Sequence, residues 1–142
     1  MKTASTLTLT LTLAVLSLAA PAPKPAAKAV ARATTSHVII AKGLGLTGEK
    51  TTIEVSIDPA TCSNLPSNFN NAIKSILPDA GIYCMLYDFP GCEIDESVPD
   101  SGRTWGIDHQ IDDLSDPQYS YNFNDRATSI WCAPVSSGVK KE

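Results

Sequence analysis

A nine-residue segment occurs twice in this chain, at residues 68–76 and 122–130. The two copies read NFNNAIKSI and NFNDRATSI, and five of the nine positions are identical. Each copy begins with asparagines, which favour turns, and ends in Ser-Ile, which leads into a strand. The rest of the chain falls into two halves around these copies, which is typical of a duplicated domain. Two unrelated turn-and-strand signals are the alternative interpretation.

The pattern of apolar residues predicts an all-β fold. Residues 51–58 alternate apolar and polar side chains, the pattern of a half-buried strand. Further short strands are predicted at 37–41, 73–76, 82–87, 105–107, 119–121 and 130–132. Loops or turns are predicted at 62–66, 78–81, 93–103 and 112–114. A short helix is the alternative for residues 70–77. Turn signals recur about every ten residues without a long helical period, as in β-sandwiches.

Residues 43–48 read GLGLTG, which matches the GxGxxG pattern of dinucleotide-binding loops. Such a loop must be followed by a helix whose N-terminus receives the pyrophosphate. Here the predicted strand 51–58 follows instead. We therefore interpret the segment as a glycine-rich hairpin turn.

The N-terminal residues 1–19 have the organisation of a secretory signal peptide. Lys2 supplies the positive start, residues 7–18 are apolar with interspersed threonines, and Ser17-Leu18-Ala19 suits cleavage. The apolar run is too short to remain as a membrane span. Its expected removal predicts a secreted, extracellular protein. Three further segments are predicted: a flexible Ala/Pro/Lys-rich linker or pro-segment at 20–36, a folded domain at 37–133 and a disordered tail at 134–142.

Charge is unevenly distributed along the predicted domain. Between residues 79 and 125 there are 11 Asp and Glu residues and one basic residue, Arg103. Binding to a nucleic-acid backbone needs a basic face, so we exclude nucleic acid as a partner. The acidity suits either solubility or cation binding.

Four cysteines lie in the predicted domain: Cys62, Cys84, Cys92 and Cys132. An even number in a small exported domain predicts two disulfides. A zinc site would need paired CxxC spacing or nearby histidines, and the sequence has neither. Spacing alone leaves the three possible pairings open.

Catalytic motifs are missing from the sequence. It contains no GxSxG, HExxH or P-loop pattern, and its two histidines, His37 and His109, lie at the domain edge and in an acidic loop. Acid pairs at 93/95 and 112/113 are candidates for hydrolysis, but loop acids on a negative surface are usually solvated. We therefore expect no enzymatic activity. The aromatic residues are expected in the core and on sheet faces rather than in a ligand site: Trp105, Trp131, Tyr83, Tyr87, Tyr119 and Tyr121.

The repeated segments resemble the βγ-crystallin family, in particular its small secreted microbial and fungal members. Residues 124–129 (NDRATS) fit the family's calcium motif N/D-N/D-x-x-S/T-S at every specified position. Residues 70–75 (NNAIKS) fit at all but one, because Lys74 stands where Ser or Thr is expected. The aromatic-to-glycine hairpin of the family is loosely matched at 83–91 and is hard to see in the first half.

The resemblance implies two Greek keys, at about residues 37–80 and 81–133, packed as a β-sandwich. The first and fourth strands of a Greek key are neighbours. The resemblance places Cys84 on the first strand of the second key and Cys132 on its fourth. It thus implies the disulfides Cys84–Cys132 and Cys62–Cys92.

The resemblance also implies shared calcium sites, in which a hydroxyl of one motif joins oxygens of the other. The first site would comprise Asn70, Asn71, the backbone of Ala72, and Thr128. The second would comprise Asn124, Asp125 and the backbone of Arg126, with Lys74 in place of the hydroxyl. An ammonium group offers no acceptor, so we expect the second site not to bind Ca²⁺. We expect the first to bind weakly, with a Kd of about 10⁻⁴–10⁻³ M. A purely structural role in turn capping is the alternative for both motifs.

The functions of proteins with this fold include those of killer toxins, antifungal proteins and plant-pathogen effectors. The resemblance therefore implies a secreted monomer that binds an extracellular protein or a cell-surface target of a host or competitor. An extracellular calcium-binding or structural module is the alternative. Protease inhibition is a remote alternative function, and the loop at 93–103 is the candidate inhibitory segment.

Overall fold

The computed structural model describes residues 33–118 and 122–136. In these residues the strands are β1 Thr34–Ala41, β2 Lys50–Asp58, β3 Cys62–Asn64, β4 Ser75–Pro78, β5 Ile82–Tyr87 and β6 Ser129–Pro134. Short 3-10 turns lie at Leu44–Leu46, Pro90–Cys92 and Pro99–Gly102. None of the helical segments described could span a membrane. The predicted signal peptide, most of the predicted linker and the strand predicted at 119–121 lie outside the described residues.

The strands form two three-stranded antiparallel sheets, ordered β2–β1–β4 and β3–β6–β5. Isolated bridges add a fourth segment to each sheet. Ile111 pairs with Ile76 of β4, while Arg103 and Ile107 pair with Tyr87 and Cys84 of β5. The prediction of an all-β fold is confirmed.

Each half of the chain is a Greek key whose third strand belongs to the opposite sheet. In the first half β1 lies between β2 and β4, whereas β3 pairs with β6 of the second half. In the second half β5 lies between the 103–107 segment and β6, whereas Ile111 pairs with β4 of the first. The first and fourth strands are neighbours in both halves, as predicted. Because each sheet needs a segment from the other half, the two keys form one sandwich.

The core lies between the inner faces of the two sheets. Successive side chains of β5 alternate between the core and the surface: Cys84 and Leu86 are fully buried, while Tyr83 and Met85 are partly exposed. The alternating apolar positions of β2 also contact the core. The largest fully buried side chains are Phe123, Ile40, Ile73, Ile76, Leu86, Ile107, Ile111, Leu114 and Ile130.

Several element boundaries differ from the sequence-based prediction. β4 spans Ser75–Pro78 rather than 73–76, so Pro78 belongs to a strand and not to the predicted turn, and β2 begins at Lys50 rather than 51. β1 begins at Thr34 rather than 37, because Thr34–Ser36 pair with the end of β2. The loop predicted at 62–66 is wrong for its first three residues, which form β3. These residues lack the β-branched, alternating pattern of a strand, and pairing with β6 makes them one. β6 extends to Pro134, whereas the sequence-based prediction assigns this residue to the tail.

The ambiguous segment 70–77 is resolved as the end of a turn followed by a strand. Residues 67–71 form a turn that leads to β4, which rules out the helix alternative for 70–77. The strand predicted at 105–107 is reduced to the bridges at Arg103 and Ile107. The GxGxxG segment connects β1 to β2 as a hairpin turn, as predicted. Its Gly45 and Gly48 have φ angles of 59° and 70°, which glycine adopts without steric cost.

The disulfides are Cys84–Cys132 and Cys62–Cys92, the pairing that the resemblance implies. Cys84 and Cys132 lie opposite each other on β5 and β6, with a Cα–Cα distance of 4.1 Å. That distance suits a non-hydrogen-bonded pair in an antiparallel ladder. Cys62 of β3 is bonded to Cys92 in the turn after β5, so the second disulfide joins the two halves covalently.

Candidate functional site

The two calcium-type motifs lie against each other and exchange equivalent hydrogen bonds. The amide of Asn71 donates to the carbonyl of Ala127 at 2.9 Å, and the amide of Asp125 donates to the carbonyl of Ile73 at 3.0 Å. Asn71 and Asp125 occupy the second position of their motifs, and both have positive φ angles, 52° and 55°. Asn and Asp tolerate this conformation better than most residues. The start of each motif is thereby held against the end of the other.

Thr128 and Asn71 belong to the first predicted calcium site, which we call the first half-clamp; the second predicted site is the second half-clamp. The hydroxyl of Thr128 donates to the side-chain oxygen of Asn71 at 3.1 Å, across 57 residues of sequence. Thr128 is 8% exposed, whereas Asn71 lies at the surface. Ca²⁺ binds oxygens at about 2.3–2.6 Å, so two oxygens at this separation can share one ion. The predicted ligands Asn70 and Ala72 flank Asn71 in the turn. The Thr128 and Asn71 oxygens therefore suit a calcium ion reached from the surface.

Lys74 occupies the corresponding place in the second half-clamp. Its ammonium lies 3.5 Å from a carboxylate oxygen of Asp125, with both side chains partly exposed. This ion pair stands where the first half-clamp has the contact between Thr128 and Asn71. An ammonium has no lone pair and repels a metal cation. The second half-clamp, as it stands, does not fit calcium.

The other residues of the second half-clamp belong to polar networks. Asn124 donates to the Asp113 carboxylate at 3.3 Å, while its own side-chain oxygen is buried without a hydrogen-bond partner among the described residues. Arg126 forms an ion pair with Asp88, and its guanidinium lies 4.9 Å from the centre of the Phe123 ring. These contacts order the second motif from both sides.

The last serine of each motif has a structural role that the sequence did not reveal. Ser75 donates to the carbonyl of Gly43 at 2.6 Å and accepts the amide of Leu46 at 2.9 Å. Ser129 makes the same two bonds, at 2.6 and 2.9 Å, to the carbonyl of Phe89 and the amide of Cys92. Both serines are fully buried. The hairpin that was hard to see in the first half is thus present at residues 43–46. Its sequence signals are the glycines of 43–48 and the shared offset of the two serines.

Two of the candidate acidic side chains, Asp95 and Asp113, do not have the electrostatics of a general acid. The hydroxyl and amide of Ser97 lower the pKa of Asp95, and those of Ser115 lower the pKa of Asp113, to which Asn124 and Lys74 add. A general acid needs a raised pKa. His109 lies 2.6 Å from Asp108, and both are largely exposed. Within residues 33–118 and 122–136, no three His, Cys, Asp or Glu side chains are placed to hold a metal together.

We expect the stability contribution of Asp113 to depend on pH. Its pKa lies below the ordinary value of 3.8 in the folded state, because the ionised carboxylate accepts bonds from Ser115 and Asn124. The contribution is therefore complete above that ordinary value and is lost as the pH falls through the lower folded pKa. Asp113→Asn should lower Tm at neutral pH, and the difference from wild type should shrink towards pH ~3 in thermal melts. Ser115→Ala should reproduce this trend. A Tm difference that stays constant with pH would contradict the assignment.

Comparison with solved structures finds βγ-crystallin domains. One, from Flavobacterium johnsoniae, is 17% identical, with 72% of this chain and 98% of that chain covered and a TM-score of 0.49. Another is the βγ-crystallin domain of Abundant Perithecial Protein from Neurospora crassa in its Ca²⁺-bound form, with 12% identity, 72% and 92% coverage and a TM-score of 0.48. No family model and no curated protein matches the sequence.

The fold of this chain is βγ-crystallin-like. The strand order defines this fold, because each Greek key places its third strand in the opposite sheet. The reciprocal bonds between the two motifs provide the second argument.

Proposed function

We propose that this protein is a non-enzymatic calcium-binding module in which one ion joins the two Greek keys. The observation that carries the proposal is the 3.1 Å approach of the Thr128 hydroxyl to the Asn71 side-chain oxygen. These two oxygens come from different keys, so an ion held by both would stabilise the packing of one key on the other. Asn70 and the backbone carbonyl of Ala72 complete the proposed ligand set.

The proposed site is weak because its side-chain ligands are neutral. Amide and hydroxyl oxygens attract Ca²⁺ less than carboxylates do, which corresponds to a Kd of about 10⁻⁴–10⁻³ M, as in extracellular modules. An affinity of this order is useful outside the cell. It therefore agrees with the secretion proposed from residues 1–19.

A thermal melt of the oxidised chain, with millimolar Ca²⁺ against chelator, tests the proposal. A calcium concentration ten times the Kd should raise stability by about 1.4 kcal/mol, or several degrees in Tm. Thr128→Ala should abolish this shift, whereas Thr128→Ser, which keeps the hydroxyl, should retain it. The calcium-dependent difference is the readout, because Thr128→Ala also removes the hydrogen bond to Asn71.

Lys74→Thr is the matched control in the second half-clamp. It replaces the ammonium with a hydroxyl next to Asp125, in the motif where the buried oxygen of Asn124 lacks a partner among the described residues. This variant should show a larger calcium shift than wild type. Absence of any shift in wild type would refute the proposal and leave the motifs as turn-capping devices.

A second candidate function is the binding of an extracellular protein or a cell-surface target, as an effector or toxin-like protein does. One observation favours it: Trp105, expected in the core or on a sheet face, is 68% exposed. Exposed tryptophan is enriched in binding surfaces. Target binding would not require calcium, so the two candidates are separable in the presence of chelator.

The protease-inhibitor alternative has less support. The loop at 93–103 is closed by its own backbone bonds, from the amide of Asp95 to the carbonyl of Ser101 and from the amide of Ser101 to the carbonyl of Val98. An inhibitory segment that pairs with a protease as an added strand must instead be extended.

A further inference from the structure

A β-bulge turns Trp105 outward from the second sheet. Between the bridged residues Cys84 and Tyr87 there are two residues of β5, but three residues separate Arg103 from Ile107 on the opposite segment. The amide of Thr104 donates to the carbonyl of Leu86 at 2.9 Å, and the amide of Leu86 donates to the Thr104 hydroxyl, also at 2.9 Å. A side chain thus replaces a carbonyl in the ladder. Bulges commonly redirect a side chain in this way.

Trp105 forms one wall of a polar cleft. The cleft has a volume of about 380 Å³, and the rest of its lining comprises Met85, Asp100, Ser101, Arg103 and Thr104. This volume lies at the small end of the range for ligand sites. The carboxylate of Asp100 and the guanidinium of Arg103 carry opposite charges, so the two cancel formally. The cleft therefore offers an aromatic plane, hydrogen-bond donors and hydrogen-bond acceptors without net charge.

The loop that forms the polar wall is held in an unusual conformation. Asp100, Ser101 and Gly102 are consecutive and have positive φ angles of 53°, 54° and 69°. Asp88 anchors the loop by donating its amide to the carbonyl of Gly102 at 2.8 Å. A Cβ at Gly102 would lie 2.9 Å from the Phe89 ring, so only glycine fits this close approach. Backbone strain maintained by the surrounding structure often accompanies a ligand site.

We infer that this cleft binds a neutral saccharide. One face of a sugar ring presents C–H groups, whose slight positive charge suits the negative face of an indole ring. Its hydroxyl groups both donate and accept hydrogen bonds, which matches Arg103 beside Asp100. An apolar ligand would desolvate both charged groups without replacing their hydrogen bonds. The carboxylate of Asp100 would repel a strongly anionic ligand, and the guanidinium of Arg103 would repel a cationic one.

A second cleft is lined by Gly106, the residue after Trp105, which suits a ligand longer than one sugar unit. This cleft, of about 300 Å³, is lined by Tyr83, Gly106, Asp108, Val135 and Ser136. The Tyr83 ring lies so close to Gly106 that a Cβ there would be 3.3 Å from it. The two clefts are lined by neighbouring residues of segment 104–106, and each has an aromatic side chain. This arrangement suits successive units of a linear, uncharged glycan.

Co-sedimentation of the oxidised chain with insoluble chitin, cellulose and mannan tests the inference. Titration with the soluble oligosaccharides of the same polymers then measures affinity from tryptophan fluorescence. At least one polymer should bind, and the bound oligosaccharide should shift the emission of Trp105. Trp105→Ala should weaken binding at least about tenfold, equivalent to 1.4 kcal/mol. Trp105→Phe should retain part of the affinity.

Ile94→Ala is the matched control, because Ile94 is an exposed apolar residue outside both clefts. It should bind as wild type does. Binding should also persist in chelator, so failure of the calcium proposal and failure of this inference are distinguishable. No binding to any of the polymers, equal binding by Trp105→Ala, or binding only to a charged glycan such as heparin would overturn the inference.

Discussion

Replacement of both Cys84 and Cys132 by alanine is expected to lower the free energy of unfolding by about 4 kcal/mol. The bond closes a segment with a sequence separation of 48, and both cysteines are fully buried between the sheets. Opening it increases the conformational entropy of the unfolded chain, which favours unfolding. Such a loss is a large share of the roughly 5–15 kcal/mol that stabilises a typical domain. Denaturant unfolding of the oxidised protein measures it directly.

Removal of Cys62 and Cys92 is the matched comparison. Their sequence separation is 30, for which the same chain-entropy relation gives about 3.5 kcal/mol. This disulfide connects the two Greek keys, whereas Cys84–Cys132 lies within the second. A loss below about 1 kcal/mol in either double variant would show that the loop-closure argument does not hold for this fold.

Phe123→Ala is expected to cost about 3–5 kcal/mol of stability. Phe123 is 1% exposed and is the largest fully buried side chain among the described residues. Its removal would leave a cavity under the second motif and withdraw the ring that the Arg126 guanidinium covers. Phe69, the corresponding residue of the first repeat, is 3% exposed, so Phe69→Ala should cost a similar amount. Thermal and denaturant melts provide the values.

Trp105→Ala serves as the control for these two variants. It deletes a larger side chain than phenylalanine, but one that is 68% exposed, so stability should change by no more than about 0.5 kcal/mol. A loss as large as that of Phe123→Ala would mean that the indole is packed rather than displayed. That result would also remove the physical basis of the saccharide cleft.

The candidate clamp shows how far local sequence reaches towards a site. The motif pattern predicted that Asn71 and Thr128 act together, and the structure brings their oxygens to 3.1 Å. The same pattern identified Lys74 as the position where the second half-clamp differs from the motif, which has Ser or Thr there. It also placed Lys74 in the same site as Asp125, which is 51 residues away by their numbers, and the structure shows these two side chains as an ion pair. Such a pairing depends on how the two keys pack.

Local sequence by itself determined most of the strand-forming segments and most of the turns between them. Period-two alternation in 51–58 and the glycines of 43–48 act within a few residues, so they are visible without a fold. The repeat likewise predicted two equivalent halves, and the equivalent bonds of Ser75 and Ser129 show that equivalence atom by atom.

Only the tertiary structure decided where the third strand of each key lies and which way Trp105 points. β3 is a strand because β6 offers it a hydrogen-bonding edge, and its own three residues carry no strand pattern. Trp105 is exposed because one extra residue opposite β5 shifts the register, and Thr104 supplies the missing acceptor. Both outcomes depend on pairing between segments that are distant in the sequence. The free energy of such pairing depends on both partners, so the sequence of one segment alone does not determine it.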